Sequence, residues 1–146
     1  MRIVLDTNIL VRALTAPPGP ASEVYSLIDP PHVLIVSPFL LSELARVLRY
    51  DHLRARHKLS DDQLDHLVRE LERASVLVVP PAAMFPPPIP EDTDDHAVVA
   101  TAIAGNADIL CTRDRHMLND TVRSHCAPHG IQIVDDLALL TLLRSS

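Results

Sequence analysis

Acidic residues stand at recurring positions in this chain. Asp6 directly follows the apolar run Ile3-Val4-Leu5, and Asp114 closes Leu110-Cys111-Thr112-Arg113-Asp114. Asp92, Asp94 and Asp95 crowd the start of an alanine-rich helical segment, and Glu43 interrupts the otherwise apolar stretch Phe39 to Ala45. Carboxylates drawn together repel one another and bind protons more tightly unless a cation sits among them. Oxygen ligands without a Cys or His partner suit Mg²⁺ or Mn²⁺ better than zinc. Such a site polarises a phosphoryl oxygen and activates water, the chemistry of metal-dependent nucleases and phosphatases. Each acid alone has a plainer reading: Asp6 as a helix cap, Asp94 and Asp95 as complements to a helix dipole, Glu43 as a solvated helix residue, Asp114 as a turn former. Capping residues have no reason to gather at one end of a sheet, however, and the elements around these acids predict that they do.

Those elements alternate. Ile3 to Leu5, His32 to Val36, Val76 to Val79, Ala107 to Cys111 and Ile131 to Val134 are short, largely apolar runs, as expected of strands buried on both faces. Between them lie helical patterns. Ser60 with Gln63 forms a capping box ahead of Leu64, Leu67, Val68 and Leu71. Ser37-Pro38 opens a helix running toward Tyr50, and Asp94 or Asp95 opens another, through Ala104, that Gly105 can end as a left-handed cap. The alternation predicts an α/β domain over residues 1–146, with a central, mostly parallel sheet flanked by helices. In such sheets the ligand crevice lies at the carboxyl ends of the strands, where Asp6 and Asp114 fall.

The chain has 146 residues, enough for one ordinary core. Its net charge of −6 argues against a protein held to nucleic acid by bulk charge. A local basic patch would be arginine-rich, because Lys58 is the only lysine; Arg46, Arg49, Arg54, Arg56, His57 and Lys58 form one such run, and Arg113 and Arg115 flank Asp114. Two cysteines, Cys111 and Cys126, are too few for a disulfide framework. A cytoplasmic setting is expected, with no targeting segment and no apolar stretch able to span a membrane. The six prolines between Pro80 and Pro90 predict a stiff connection. His125, Cys126 and His129 lack a fourth zinc ligand and are expected in a surface loop. His96 and His116, beside the acids, are expected to fill space. With Tyr25, Tyr50, Phe39 and Phe85 the only aromatics of their kind, stacking on bases cannot be the main mode of recognition.

With these residues in view, the sequence resembles the PIN domain, the nuclease domain of VapC-type toxins and related ribonucleases. Val4-Leu5-Asp6-Thr7-Asn8 is similar to that family's opening motif, and Ser37 to Leu48 to its second, with Glu43 as the acid. Asp92 to Ala102 is similar to the third, and Ala107 to Asp114 to the fourth. The resemblance implies Asp6, Glu43, Asp95 and Asp114 as the catalytic, metal-holding acids for Mg²⁺ or Mn²⁺. It implies Asn8 and Thr112 as polar residues that steady them, with Asp92 as an additional acid one turn before Asp95. Arg46, Arg49, Arg113 and Arg115 are candidates for holding RNA phosphates.

The implied reaction is endonucleolytic hydrolysis of RNA, leaving 5′-phosphate and 3′-hydroxyl ends, with Asp95 or Asp6 best placed to orient the water. The implied biology is the toxin half of a toxin–antitoxin pair: a small antitoxin as partner, and a homodimer with Leu14, Val24, Leu27 and Ile28 as interface candidates. The proline tract is a departure from the family pattern and leaves the substrate groove open. Two other readings are a non-catalytic RNA-binding or assembly module of the same fold and a metal-dependent nuclease or phosphatase acting on something other than RNA.

Overall fold

The computed structural model describes the backbone of residues 1–81 and 93–146, and side chains from 1–81 and 96–146. Asp92 and the proline tract beyond Pro81 lie outside the described residues, as do the side chains of Asp94 and Asp95.

The chain order is β1 (Arg2–Leu5), α1 (Thr7–Thr15), α2 (Pro20–Leu27), β2 (Val33–Val36), α3 (Pro38–Val47), α4 (Asp51–His57), α5 (Asp61–Arg73) and β3 (Val76–Leu77). It continues with α6 (Thr93–Ala104), β4 (Ile109–Cys111), α7 (Asp120–Cys126), a 3-10 turn (Ala127–His129), β5 (Gln132–Val134) and α8 (Asp136–Arg144). The strands form one sheet in the order β3-β2-β1-β4-β5. Every pairing is parallel, with Ile3 opposite Leu34 and Ile109, and Leu5 opposite Cys111.

Strand alternation divides the core into two layers. Ile3, Leu5, Leu34, Val36, Ile109 and Cys111 face one way and pack with α1, α3, α5 and α8. Val4, Ile35, Leu110 and Ile133 face the other, against α6 and α7. Helices on both faces explain why these strands are continuous apolar runs.

Local chemistry sets the helix starts. Ser60 and Gln63 form the reciprocal capping box, Ser37 caps α3 by accepting from Leu40 N, and Pro38 takes the first helical position, where no amide partner is needed. The α3 helix ends at Val47, and the chain restarts at Asp51 as α4 instead of running on.

Four expectations are corrected. Val76 to Val79 is not a strand buried on both faces: β3 is a two-residue edge strand, with Val76 37% and Leu77 45% exposed. It pairs with β2 alone, and Pro80 and Pro81 offer no further donors. Gly105 does not take a left-handed conformation; Asn106 does, at φ 50°. The glycine is needed for space, since a Cβ there would lie 2.6 Å from Ile35 Cγ2. Val24 is fully buried in the core and offers no surface to a second copy. Cys126 ends α7 with its side chain in the core, so that stretch is no surface loop, although His129 is exposed.

Candidate active site

In an open parallel sheet, ligands bind at the carboxyl ends of the strands where the strand order reverses. Here that point lies between β1 and β4, and the residues leaving those strands are Asp6 and Thr112. Asp6 is 8% exposed and caps α1: its Oδ1 accepts from Thr7 N at 2.7 Å. Its Oδ2 accepts from Thr112 Oγ1 at 2.8 Å and, more weakly, from Asn8 Nδ2 at 3.4 Å. The capping and chemical readings of Asp6 are therefore compatible, since one oxygen caps while the carboxylate stays at the mouth of the switch point.

Thr112 organises the other side. It is fully buried, and its Oγ1 also accepts from Asp114 N at 3.1 Å. Asn8 Oδ1 accepts from Arg113 N at 3.2 Å, and Asp114 Oδ1 accepts from His116 N at 2.9 Å. The loop after β4 is thus pinned to β1 and α1 by side chains, which fixes Asp114 beside Asp6.

Glu43 comes from α3. Leu40, Leu44 and Leu48, at four-residue spacing, are fully buried, while Phe39, Glu43 and Val47, also at four-residue spacing, line a cleft. That cleft is about 510 Å³ and also receives Asp6, Asn8 and Asp114. The side chain of Glu43 is 17% exposed and is held by Arg46, which also donates to Tyr50 Oη at 2.5 Å and lies over its ring.

The position of α3 against α6, the helix that carries Asp95 in its first turn, is fixed by two buried hydroxyls. Ser37 Oγ and Thr101 Oγ1 lie 2.8 Å apart, and both residues are fully buried. Sequence reasoning noticed Ser37 only as a cap and missed Thr101; a hydroxyl in the alanine-rich run of α6 is the signal it could have used.

The structure therefore brings Asp6, Glu43 and Asp114 to one cleft and supports Asp6 and Asp114 with Asn8 and Thr112. Arg46, Arg49, Arg113 and Arg115 are not among the described residues lining it. Arg46 pairs with Glu43, Arg49 with Asp61 and Asp65, and Arg113 with Asp136. Asp136 was not singled out in the sequence. It is 1% exposed, and its Oδ1 lies 3.4 Å from Arg113 Nε with no hydrogen-bond partner. Cys111 is buried at the end of β4; burial first, and then the charges of Asp136, Asp135 and Asp6, push its thiol well above the ordinary range.

The all-oxygen carboxylate set fits a hard divalent cation, and Asp6 and Asp114 are already oriented toward one space. Among the described residues no three Asp, Glu, His or Cys side chains are close enough to enclose an ion.

The family model described as the PIN domain matches residues 2–116. The chain belongs to the PIN-domain family. That match spans all four acidic positions and most of the sheet of this PIN domain. Among solved structures it is similar to a chain of VapBC2 from Rickettsia felis, whose crystal structure contains a DNA fragment from their promoter. The likeness covers 91% of this chain and 98% of that one, with a TM-score of 0.62 and 16% identity, and shows a shared fold. No curated protein matches the chain in sequence.

Proposed function

We propose that this PIN domain, taken as one unit over residues 1–146, is a Mg²⁺- or Mn²⁺-dependent endoribonuclease. The observation that carries the reading is the convergence of Asp6, Glu43 and Asp114 on one cleft at the strand-order reversal. Asp6, Glu43, Asp95 and Asp114 would hold the cation, which when bound supplies charge neutralisation and an activated water for phosphodiester hydrolysis. The chain's own contribution is placement. Thr112 and Asn8 hold Asp6 through Oδ2 while Thr7 N holds Oδ1, so the carboxylate cannot rotate away from the cleft. Asp114 is kept beside it by the hydrogen bond that its backbone N–H donates to Thr112 Oγ1. Glu43 must exchange its contact with Arg46 for the cation, so Arg46 acts as a placeholder charge. The acids orient an attacking water, with Asp6 or Asp95 its acceptor, for attack in line with the leaving 3′ oxygen. Asp92 is proposed as an additional acid beside Asp95.

The fold it shares with the Rickettsia felis VapBC2 chain supports placing this protein as the toxin half of a toxin–antitoxin pair. It would be cytoplasmic, work as a homodimer, and be masked by a small antitoxin; among the described residues no helix is long and apolar enough to cross a membrane. The test is incubation of purified protein with a structured RNA pool and with duplex DNA, in Mg²⁺ or Mn²⁺ and in EDTA. Metal-dependent cleavage confined to RNA, leaving 5′-phosphates, is expected. Cleavage of DNA alone, or binding of RNA without cleavage in any metal, would replace this reading with a DNA-directed nuclease or a binding module.

A further inference from the structure

The cleft that holds the carboxylates also carries charge of the opposite sign. Arg12 on α1 and His52 and Arg56 on α4 line it together with Asp6, Glu43 and Asp114. Six other arginines are already engaged: Arg46 with Glu43, Arg49 with Asp65, Arg54 with Asp61, Arg73 with Glu70, Arg113 with Asp136 and Arg144 with Glu23. Arg12 and Arg56 make no ion pair among the described residues.

The sequence offers neither of them a partner along its own helix. Side chains three and four positions apart meet on a helix. Around Arg12 those positions hold Asn8, Ile9, Thr15 and Ala16; around Arg56 they hold His52, Leu53, Leu59 and Ser60. No acid lies within helical reach of either guanidinium. The same spacing aims both into the cleft. Asn8 and Arg12 share one face of α1, His52 and Arg56 one face of α4, and all four line the site.

We propose that Arg12 and Arg56, with His52 beside them, form a phosphate-binding wall that takes the RNA backbone next to the scissile bond. The inference deepens the ribonuclease reading and rests on it. Guanidinium groups match phosphate oxygens in a two-point fork, and unpaired ones give up no existing ion pair when they bind. The cleft volume of about 510 Å³ suits a nucleotide-sized group. Phe39 is the one Phe, Tyr or Trp among its described lining residues, so holding the strand by its phosphates fits the site better than stacking its bases. An RNA bridging the acids and this wall would be held with little sequence preference and strong dependence on salt.

The test is fluorescence anisotropy with labelled single-stranded RNA in Mg²⁺, using Asp6→Asn protein so that the probe stays intact, over about 50–200 mM salt. Cleavage by the wild-type protein is measured in parallel. Each phosphate contact contributes about 0.7 to the salt slope for a single strand, so adding Arg12→Ala and Arg56→Ala should lower the slope by about 1.4. Arg12→Lys with Arg56→Lys should keep most of the slope. Arg73→Ala with Arg123→Ala, the same change in charge away from the cleft lining, should leave it unchanged. Arg12 and Arg56 are exposed, so an unaltered melting curve is expected and separates lost binding from lost folding. Wild-type cleavage with an unchanged slope in the double alanine variant would overturn the wall and leave the ribonuclease reading standing. Absence of both binding and cleavage in the wild type would overturn both. Competition by polyglutamate as effective as competition by RNA would reassign the wall to acidic peptides.

Discussion

Thr112 Oγ1 donates to Asp6 Oδ2 at 2.8 Å, a buried bond between residues 106 positions apart that joins the exits of β1 and β4. Its consequence is that the two strand ends at the reversal point present a carboxylate of fixed orientation. Loss of a partner that orients a metal ligand typically weakens metal binding 10- to 100-fold, and a buried hydrogen bond contributes about 1 kcal/mol to stability. Thr112→Val is therefore expected to weaken Mn²⁺ binding by roughly 10- to 100-fold while lowering stability by about 1–2 kcal/mol. Thr112→Ser should recover most of both. Calorimetric Mn²⁺ titration beside urea unfolding makes the comparison; metal affinity untouched in Thr112→Val would show that Asp6 needs no such support.

If Glu43 holds the divalent cation as proposed, Arg46 competes with that cation for it. An exposed pair of this kind contributes up to about 1 kcal/mol, so Arg46→Ala should tighten divalent binding by no more than about fivefold, and Glu43→Gln should weaken it. Equal affinity in Glu43→Gln and wild type would mean that Glu43 binds no metal.

Asp136 is a buried carboxylate whose one ion pair among the described residues is with Arg113. Replacing Arg113 with Met strands that charge and is expected to cost about 1–3 kcal/mol. Asp136→Asn in the same chain should return part of the loss, so a double-mutant cycle by chemical denaturation should give a non-zero coupling. Additive effects would sever the two residues energetically.

Much of this was legible in the sequence because burial leaves a periodic mark. Short apolar runs announced β1, β2, β4 and β5, and the Ser60–Gln63 box and Ser37-Pro38 announced helix starts. Asp6 was visible because it directly follows such a run, and Asp114 because it stands three residues beyond one. The rest depended on contacts that no local pattern encodes. Val76 to Val79 has the composition of a central strand, and only its place at the sheet edge exposes it. Asp136 follows Asp135, which does cap α8, so the pair passes as ordinary helix-start chemistry. The basic run after Glu43 drew attention to Arg46 and Arg49, yet acids bind both, whereas Arg12, with neutral residues at helical spacing around it, makes no ion pair among the described residues.

Gly105 holds a place where no side chain fits. A Cβ would sit 2.6 Å from Ile35 Cγ2, between α6 and the middle of β2. Overpacking a core of this kind costs about 1–3 kcal/mol, so Gly105→Ala should lower the unfolding midpoint accordingly. A midpoint equal to that of the wild type would show that α6 shifts freely on the sheet.

Burial pushes the Cys126 thiol up to about 11 and raises Cys111 further still. Both thiols stay protonated in the folded chain at a pH where the unfolded chain has ionised them. Their contribution to stability is thus complete below the ordinary thiol range and is lost as pH rises through it toward the folded values. Native protein at neutral pH should react with a thiol reagent only after denaturant is added, and stability should fall from about pH 9 upward. Rapid labelling of the native protein would contradict the burial of both cysteines.

The most direct measurement compares Asp6→Asn, Glu43→Gln, Asp95→Asn and Asp114→Asn with the wild type, each folded by circular dichroism, for Mg²⁺-dependent cleavage of one RNA pool. Each substitution should lower cleavage by at least about 100-fold, since each removes a carboxylate proposed to hold the cation or orient water. Cleavage persisting undiminished in Asp6→Asn would contradict the assignment of the strand-reversal cleft as the active site.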